Sequence, residues 1–216
     1  MDTKQIILLL PLLIVGIAAA ISLDSFRYRY QKPFKVLSLL WVVNFLVDLA
    51  GHIAAHLKIS NHFLYNIYFW ILYLTLPWIY STQIQNKYVR SSIRVFYIVF
   101  PLLIIAASIA FGIMRLQTLT VVAGDLFMIF IVAAYFRQLY LSEETVPVTR
   151  DPWFWFSFGF LVHFGGTVPF LGMLNYLWQH YPSFTNSYYI YISNSFTTLL
   201  NLLIIAGFLC RRNYQK

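Results

Sequence analysis

Seven long runs of mostly apolar residues, separated by short polar connections, restrict this chain more than any other feature. A helix rises about 1.5 Å per residue, so about 20 apolar residues cross the roughly 30 Å hydrocarbon core of a bilayer. Within that core, a helix satisfies its own backbone N–H and C=O groups. The sequence therefore predicts an all-α polytopic membrane protein, one seven-transmembrane-helix bundle over residues 1–216. Its predicted helices cover residues 5–23, 34–57, 62–83, 93–114, 116–140, 153–181 and 187–209.

The composition excludes an ordinary soluble domain. Charged residues make up only 10% of the chain, against about 25% in typical globular proteins, and the mean hydropathy is +0.70. The formal net charge of +8 does not indicate a nucleic-acid partner, because the basic residues lie between apolar runs and do not form one soluble patch. Membrane lipids are the predicted partners, with anionic headgroups near the basic loops.

The distribution of basic residues predicts the orientation. Twelve of the fifteen Lys and Arg residues fall on one side of a seven-helix arrangement, and only Lys4, Lys58 and Arg115 fall on the other. Cytoplasmic loops carry the excess of Lys and Arg, so the N-terminus is predicted outside and the C-terminus in the cytoplasm. The twelve predicted cytoplasmic residues are Arg27, Arg29, Lys32, Lys35, Lys87, Arg90, Arg94, Arg137, Arg150, Arg211, Arg212 and Lys216.

Polar residues recur along the second predicted helix. Asn44, Asp48, His52 and His56 are spaced four residues apart within an otherwise apolar run. Each four-residue step rotates by about 40°, so the four side chains share one face of about 120°. Ionisable residues inside a membrane are costly and commonly mark a functional site.

Counting residues from the predicted cytoplasmic boundary brings further polar residues to a similar depth. Asp48, Asp125, His163 and Asn194 come out about 15–20 Å above that boundary, near the membrane midplane. His52 lies one turn further outward, and His56 reaches the rim. The predicted ligand-binding set, in a pocket that opens to the outside, is Asn44, Asp48, His52, Asp125, His163 and Asn194.

Two other interpretations of the same residues remain open. Asp48, His52 and His163 offer one carboxylate and two imidazoles, the ligand types of catalytic zinc, which predicts a metal-dependent hydrolase acting on a lipid. Membrane hydrolases of the ceramidase and progestin-receptor type are similar in having seven helices, a buried Asp and several His, but they carry a His pair on the last helix, where this chain has none. Alternatively, Asp48 hydrogen-bonds or ion-pairs with His163, and Asn44, Asn194 and Asn201 only join helices.

The sixth predicted helix is unusually long and contains Gly165, Gly166 and Pro169. This predicts an interruption that is a hinge, a cavity wall or a static kink filled by packing. A small-solute transporter is a further alternative, although no internal repeat supports it. Retinal binding is excluded because the last predicted helix contains no lysine for a Schiff base.

Three segments carry a resemblance to a known family. NHFLYNIY (61–68), PWFWFSFGFLVHFGGT (152–167) and NLLIIAGFLCRR (201–212) resemble small, largely uncharacterised bacterial seven-helix membrane proteins, and similar modules precede some histidine-kinase domains. The resemblance implies a sensory module in the bacterial inner membrane. We therefore expect a ligand-binding sensor that signals through a separate cytoplasmic protein. The oligomeric state is left open.

Overall fold

The structure, a computed structural model, describes residues 3–27, 31–142 and 147–214. Arg29 and Lys216 of the predicted cytoplasmic set lie outside these ranges, and the side chains of Lys4, Arg27, Arg211 and Arg212 are also outside the description. The described residues are almost entirely helical and include no strand. Their helices are α1 (Thr3–Ser22), α2 (Asp24–Arg27), α3 (Lys32–His56), α4 (His62–Gln83), α5 (Lys87–Phe111), α6 (Thr118–Tyr140), α7 (Pro152–His180) and α8 (Pro182–Tyr214).

Six of the long helices form a closed ring. In order around the ring, α1 packs on α3, α3 on α4, α4 on α6, α6 on α7, α7 on α8, and α8 returns to α1. α5 lies outside the ring against α4 and α6, and its outer face exposes Val95, Ile98, Leu102 and Ile109. Apolar side chains spaced three or four residues apart on an exposed helix face suit contact with lipid.

Within the described residues, six segments are long and apolar enough to cross a membrane, which supports a multi-pass membrane protein. The 22-residue helix α4 is long enough but less apolar, because it contains polar Asn66 and several tyrosines. Each tyrosine carries a hydroxyl that lowers its hydropathy even when its ring is buried. The six segments are Leu9–Phe26, Lys32–His56, Lys87–Phe111, Thr118–Tyr140, Pro152–Leu174 and Tyr191–Cys210.

The largest error in the predicted helix boundaries concerns α5. This helix begins at Lys87 and not at residue 93, because the Asn86 side chain accepts hydrogen bonds from the backbone N–H groups of Tyr88 (2.8 Å) and Val89 (3.4 Å). It ends at Phe111 and not at residue 114, because Gly112 follows with φ 77°, a left-handed conformation that favours glycine. The connection from α5 to α6 is accordingly longer than predicted.

The buried side chain of Asn66, near the start of α4, fixes this α5–α6 connection. Its Nδ2 donates to the carbonyls of Ile113 (2.9 Å) and Arg115 (2.8 Å). Its Oδ1 accepts from the backbone N–H of Gln117 (3.1 Å). One amide thus satisfies three backbone groups that no helix satisfies, and it joins α4 to the loop that leads into α6.

The predicted interruption does not break the long helix α7, which runs continuously from Pro152 to His180 through Gly165, Gly166 and Pro169. The two glycines have different surroundings. A Cβ on Gly166 would lie 2.2 Å from the Phe196 ring of α8, whereas a Cβ on Gly165 would meet nothing within 4 Å. Gly166 is therefore the position at which α7 and α8 approach closely.

A group of buried aromatic side chains closes one end of the ring, where α3 and α7 begin and α4, α6 and α8 end. We call it the aromatic layer. Phe34 lies 4.8 Å from Trp153, Phe156 lies 5.0 Å from Phe208, and Tyr80 lies 6.0 Å from Tyr135, each between ring centroids. Its members are Phe34, Tyr80, Tyr135, Trp153, Phe156 and Phe208, all less than 9% exposed.

Polar bonds fix the aromatic layer. The hydroxyls of Tyr80 and Ser157 are 2.7 Å apart and join α4 to α7, and the Tyr135 hydroxyl donates to the Asp151 carboxylate, which also caps α7. Each of these bonds satisfies a buried hydroxyl that would otherwise lack a partner. The hydroxyl groups therefore hold the layer in one arrangement.

Candidate functional site

The opposite half of the ring encloses a cavity of about 860 Å³. All six ring helices contribute to its wall, and the described residues of α5 contribute none. Its inner end is lined by Trp41 and Phe160, next to the aromatic layer, and it extends to His56, His62 and Trp178, which are exposed at the other end of the bundle. Cavities of this size commonly hold small organic ligands.

All six side chains of the predicted ligand-binding set line this one cavity. Asn44, Asp48 and His52 share the inward face of α3 because they are one helical turn apart. Asp125 comes from α6, His163 from α7 and Asn194 from α8. That these residues surround one space is now a structural observation, while their role in binding a ligand stays a prediction.

The Asp48 carboxylate is held by a tyrosine of the neighbouring helix. It accepts a hydrogen bond from the Tyr65 hydroxyl of α4. A Cβ on Gly51 would lie 2.5 Å from the same Tyr65 hydroxyl oxygen. The absence of a side chain at Gly51 therefore lets Tyr65 approach α3. His52 Nδ1 lies 3.1 Å from the Asp48 backbone carbonyl, one turn earlier in the same helix.

Asp125 of α6 is bonded to a second tyrosine of α4 in the same way. The Tyr73 hydroxyl donates to Asp125 Oδ1 at 2.5 Å, and both residues are at most 2% exposed. A Cβ on Gly124 would lie 2.5–2.7 Å from three atoms of the Tyr73 ring, so this tyrosine also packs against a glycine. α4 therefore presents one tyrosine to a carboxylate of α3 and another to a carboxylate of α6.

A third tyrosine of α4, Tyr68, lines the same cavity. Its side chain is 8% exposed and its ring centroid lies 5.8 Å from that of Phe69. Tyr65, Tyr68 and Tyr73 all line the cavity, and sequence reasoning missed them. The signal that could have found them is the recurrence of tyrosines on an apolar helix, since a buried hydroxyl needs a hydrogen-bond partner.

His163 has an incomplete set of hydrogen bonds. One ring nitrogen bonds the backbone carbonyl of Phe196 on α8, while Nδ1 is buried and has no partner. A carbonyl can only accept, so Nε2 carries the proton and Nδ1 presents a lone pair. Since one ring nitrogen of His163 bonds Phe196 and the other has no partner, the predicted Asp48–His163 hydrogen bond does not form.

Asn201 confirms part of the interpretation in which polar residues join helices. Its Oδ1 accepts from the Trp41 indole N–H at 2.8 Å, which joins α8 to α3, and its Nδ2 donates to the Thr197 carbonyl at 2.7 Å. Both Trp41 and Asn201 are nearly inaccessible to solvent. This bond lies at the inner end of the cavity and fixes the wall there.

The predicted zinc ligands do not form a compact ligand set. Asp48, His52 and His163 line the same cavity, yet among the described residues no group of three or more His, Cys, Asp or Glu side chains is placed to hold a metal ion. Asp48 and His163 are instead hydrogen-bonded to different neighbours, Tyr65 and Phe196.

No protein-family model, curated protein or solved structure matches this chain. The chemistry of the cavity wall is accordingly the basis on which a function is assigned.

Proposed function

We propose that this chain is a seven-helix sensor of the bacterial inner membrane that binds a small ligand in the cavity and signals through a separate cytoplasmic protein. The observation that carries the proposal is the cavity itself, about 860 Å³ in volume, in which the two tyrosine-bound carboxylates and the unpartnered His163 Nδ1 line an otherwise largely apolar wall. A few placed polar groups in an apolar concavity are characteristic of small-molecule sites.

The proposal includes α4 as the seventh membrane-spanning helix. α4 lies between α3 and α6 in the ring, and its tyrosine hydroxyls are used within the bundle, so its lower hydropathy does not require contact with water. With α4 spanning, the excess of basic residues favours an orientation with the aromatic layer on the cytoplasmic side and the open end of the cavity outside.

A cysteine-labelling experiment tests this topology. In a chain whose single cysteine, Cys210, is replaced by alanine, we introduce Ser60→Cys before α4 or Ser91→Cys after it, both at exposed positions. We expect a membrane-impermeant maleimide to label Ser60→Cys only in right-side-out vesicles and Ser91→Cys only in inside-out vesicles. Labelling of both from the same side would show that α4 does not cross.

Obstruction of the cavity tests ligand binding. Ala55 lines the cavity near its open end, whereas Ile53, on the same helix, is exposed outside it. In lipid nanodiscs, we screen small cationic, anionic and neutral compounds for those that raise the Tm of the wild-type protein. We expect Ala55→Trp to weaken binding of the compounds found by about tenfold or more, because the indole occupies part of the entrance.

The control for this screen is Ile53→Trp, which adds the same bulk to the lipid-facing side of α3 and should leave binding unchanged. If no compound raises the Tm of the wild-type protein, or if both tryptophan variants reduce binding equally, the binding proposal fails.

The signalling part of the proposal is tested with the Ser91→Cys protein. The rate at which its cysteine is labelled should change when a binding compound is added. A constant rate would leave a binding protein that does not transmit a signal.

A further inference from the structure

We propose that the cavity recognises an organic ammonium ion that carries N–H groups, that is, a primary or secondary amine on an apolar body. This inference rests on the proposed function and specifies its ligand class. It depends on three properties of the cavity wall: its charge, its excess of hydrogen-bond acceptors and its aromatic surface.

The cavity wall lacks the basic side chains that predominate in the whole chain. The chain carries a formal net charge of +8, yet among its described residues the cavity wall includes no lysine or arginine, while it includes Asp48 and Asp125. The histidines of the wall are His52, His56, His62 and His163. A site with carboxylates and no fixed positive side chain attracts a cation and rejects an anion.

The inner wall also needs hydrogen-bond donors from a ligand. Tyr65 and Tyr73 each donate to a carboxylate, but a carboxylate has about four lone-pair sites and each tyrosine fills one. His163 Nδ1 is buried with an unused lone pair, and an unpaired buried acceptor is energetically unfavourable. An ammonium N–H satisfies either kind of acceptor, and its bond to a carboxylate is strengthened by charge.

Aromatic side chains supply the rest of the wall. Trp41, Phe69, Phe160, Phe164 and Phe170 line the cavity together with these acceptors. Aromatic faces attract cations and also accommodate an apolar body. A wall of aromatic rings alone would accept a quaternary ammonium ion equally well. The acceptors add a preference for N–H groups, and this preference distinguishes the proposed ligand class.

The experiment compares four related compounds on the wild-type protein in nanodiscs. They are 2-phenylethylamine, its N,N,N-trimethyl derivative, 3-phenylpropanoate and 2-phenylethanol, and binding is measured by Tm shift and by calorimetry. We expect 2-phenylethylamine to bind about tenfold or more tightly than each of the other three. Equal or tighter binding of the quaternary, anionic or neutral compound overturns the inference, as does failure of 2-phenylethylamine to bind.

Variants locate the interaction. Asp125→Asn and Asp48→Asn should each weaken 2-phenylethylamine by about tenfold or more. Asp151→Asn is the matched control, since Asp151 also accepts from a tyrosine but lies next to the aromatic layer and outside the cavity wall. Unchanged affinity in both Asp125→Asn and Asp48→Asn, or an equal loss in Asp151→Asn, overturns the inference. If Asp125→Asn does not fold, the inference is tested by the affinity of Asp48→Asn for 2-phenylethylamine and by the selectivity of the wild-type protein among the four compounds.

The two proposals fail in different ways. If the anionic or neutral compound binds and Ala55→Trp weakens it, the cavity is a ligand site and only the amine class is wrong. If no compound of the wider screen raises the Tm of the wild-type protein, the binding proposal itself fails.

Discussion

Asn66→Ala is expected to lower the free energy of unfolding by about 2–4 kcal/mol. The substitution removes three hydrogen bonds between one buried amide and the backbone of the α5–α6 connection. Each lost bond leaves a backbone group without a partner, at a cost of about 1–3 kcal/mol where the group stays buried. The Arg115 carbonyl belongs to an exposed residue and can regain water, so the total is smaller than three full penalties.

Asn61→Ala is the matched control for this prediction. Asn61 precedes α4, and its side chain makes one longer bond, from Nδ2 to the Gly51 carbonyl at 3.3 Å, with no side-chain cap on the helix. We expect a loss of less than about 1 kcal/mol. Unfolding of the purified proteins, followed by circular dichroism in one detergent, compares the two. Equal stability of the two variants would contradict the assigned role of Asn66.

Gly124→Ala is expected to destabilise the protein by about 2–4 kcal/mol, although alanine is the better helix former by about 1 kcal/mol. The new Cβ would lie 2.5–2.7 Å from the part of the Tyr73 ring nearest the backbone, which cannot move away as the end of a flexible side chain does. Either α4 separates from α6 or Tyr73 rotates, and then the buried Asp125 loses its hydroxyl donor.

Gly165→Ala separates the steric effect from helix propensity. Gly165 also lies within a long helix, but a Cβ there meets nothing within 4 Å, so this variant should be as stable as the wild type or slightly more stable. Tyr73→Phe removes the hydroxyl and keeps the ring, and an intermediate loss of about 1–2 kcal/mol is expected. If Gly124→Ala and Gly165→Ala unfold at the same Tm, the close packing of Tyr73 on Gly124 has no energetic importance.

Helical periodicity and depth were sufficient to predict that the six side chains of the ligand-binding set share a space. Asn44, Asp48 and His52 had to share a face because of their spacing, and Asp125 and His163 were placed near them by counting residues from the helix ends. Both the periodicity and the depth are properties of single helices. The sequence therefore predicted these members of the wall but missed the tyrosines of α4 that also line it.

The partners of these side chains were not predictable in the same way, because they depend on which helices become neighbours and how each is rotated. One of the alternatives paired Asp48 with His163 of α7, but Asp48 is bonded to Tyr65 of α4, which packs directly beside α3. The small residues Gly51 and Gly124 determine how closely each tyrosine approaches, and nothing in a single helix pattern specifies that distance. The start of α5 at Lys87 could have been predicted from the sequence, because Asn86 is a recognisable N-cap residue. That signal was overlooked.

The aromatic layer bears on how solutes and signals could pass through the bundle. Transport by alternating access requires a route from the cavity to the other membrane face, and that route is filled by Phe34, Tyr80 and Trp153. Opening it would expose the buried Tyr80–Ser157 bond and separate α4 from α7. In the proposed sensor, a ligand would enter from the open end and meet this layer at the inner end of the cavity. Its effect on the far side would then be carried by shifts of whole helices, with the packed layer as their shared pivot.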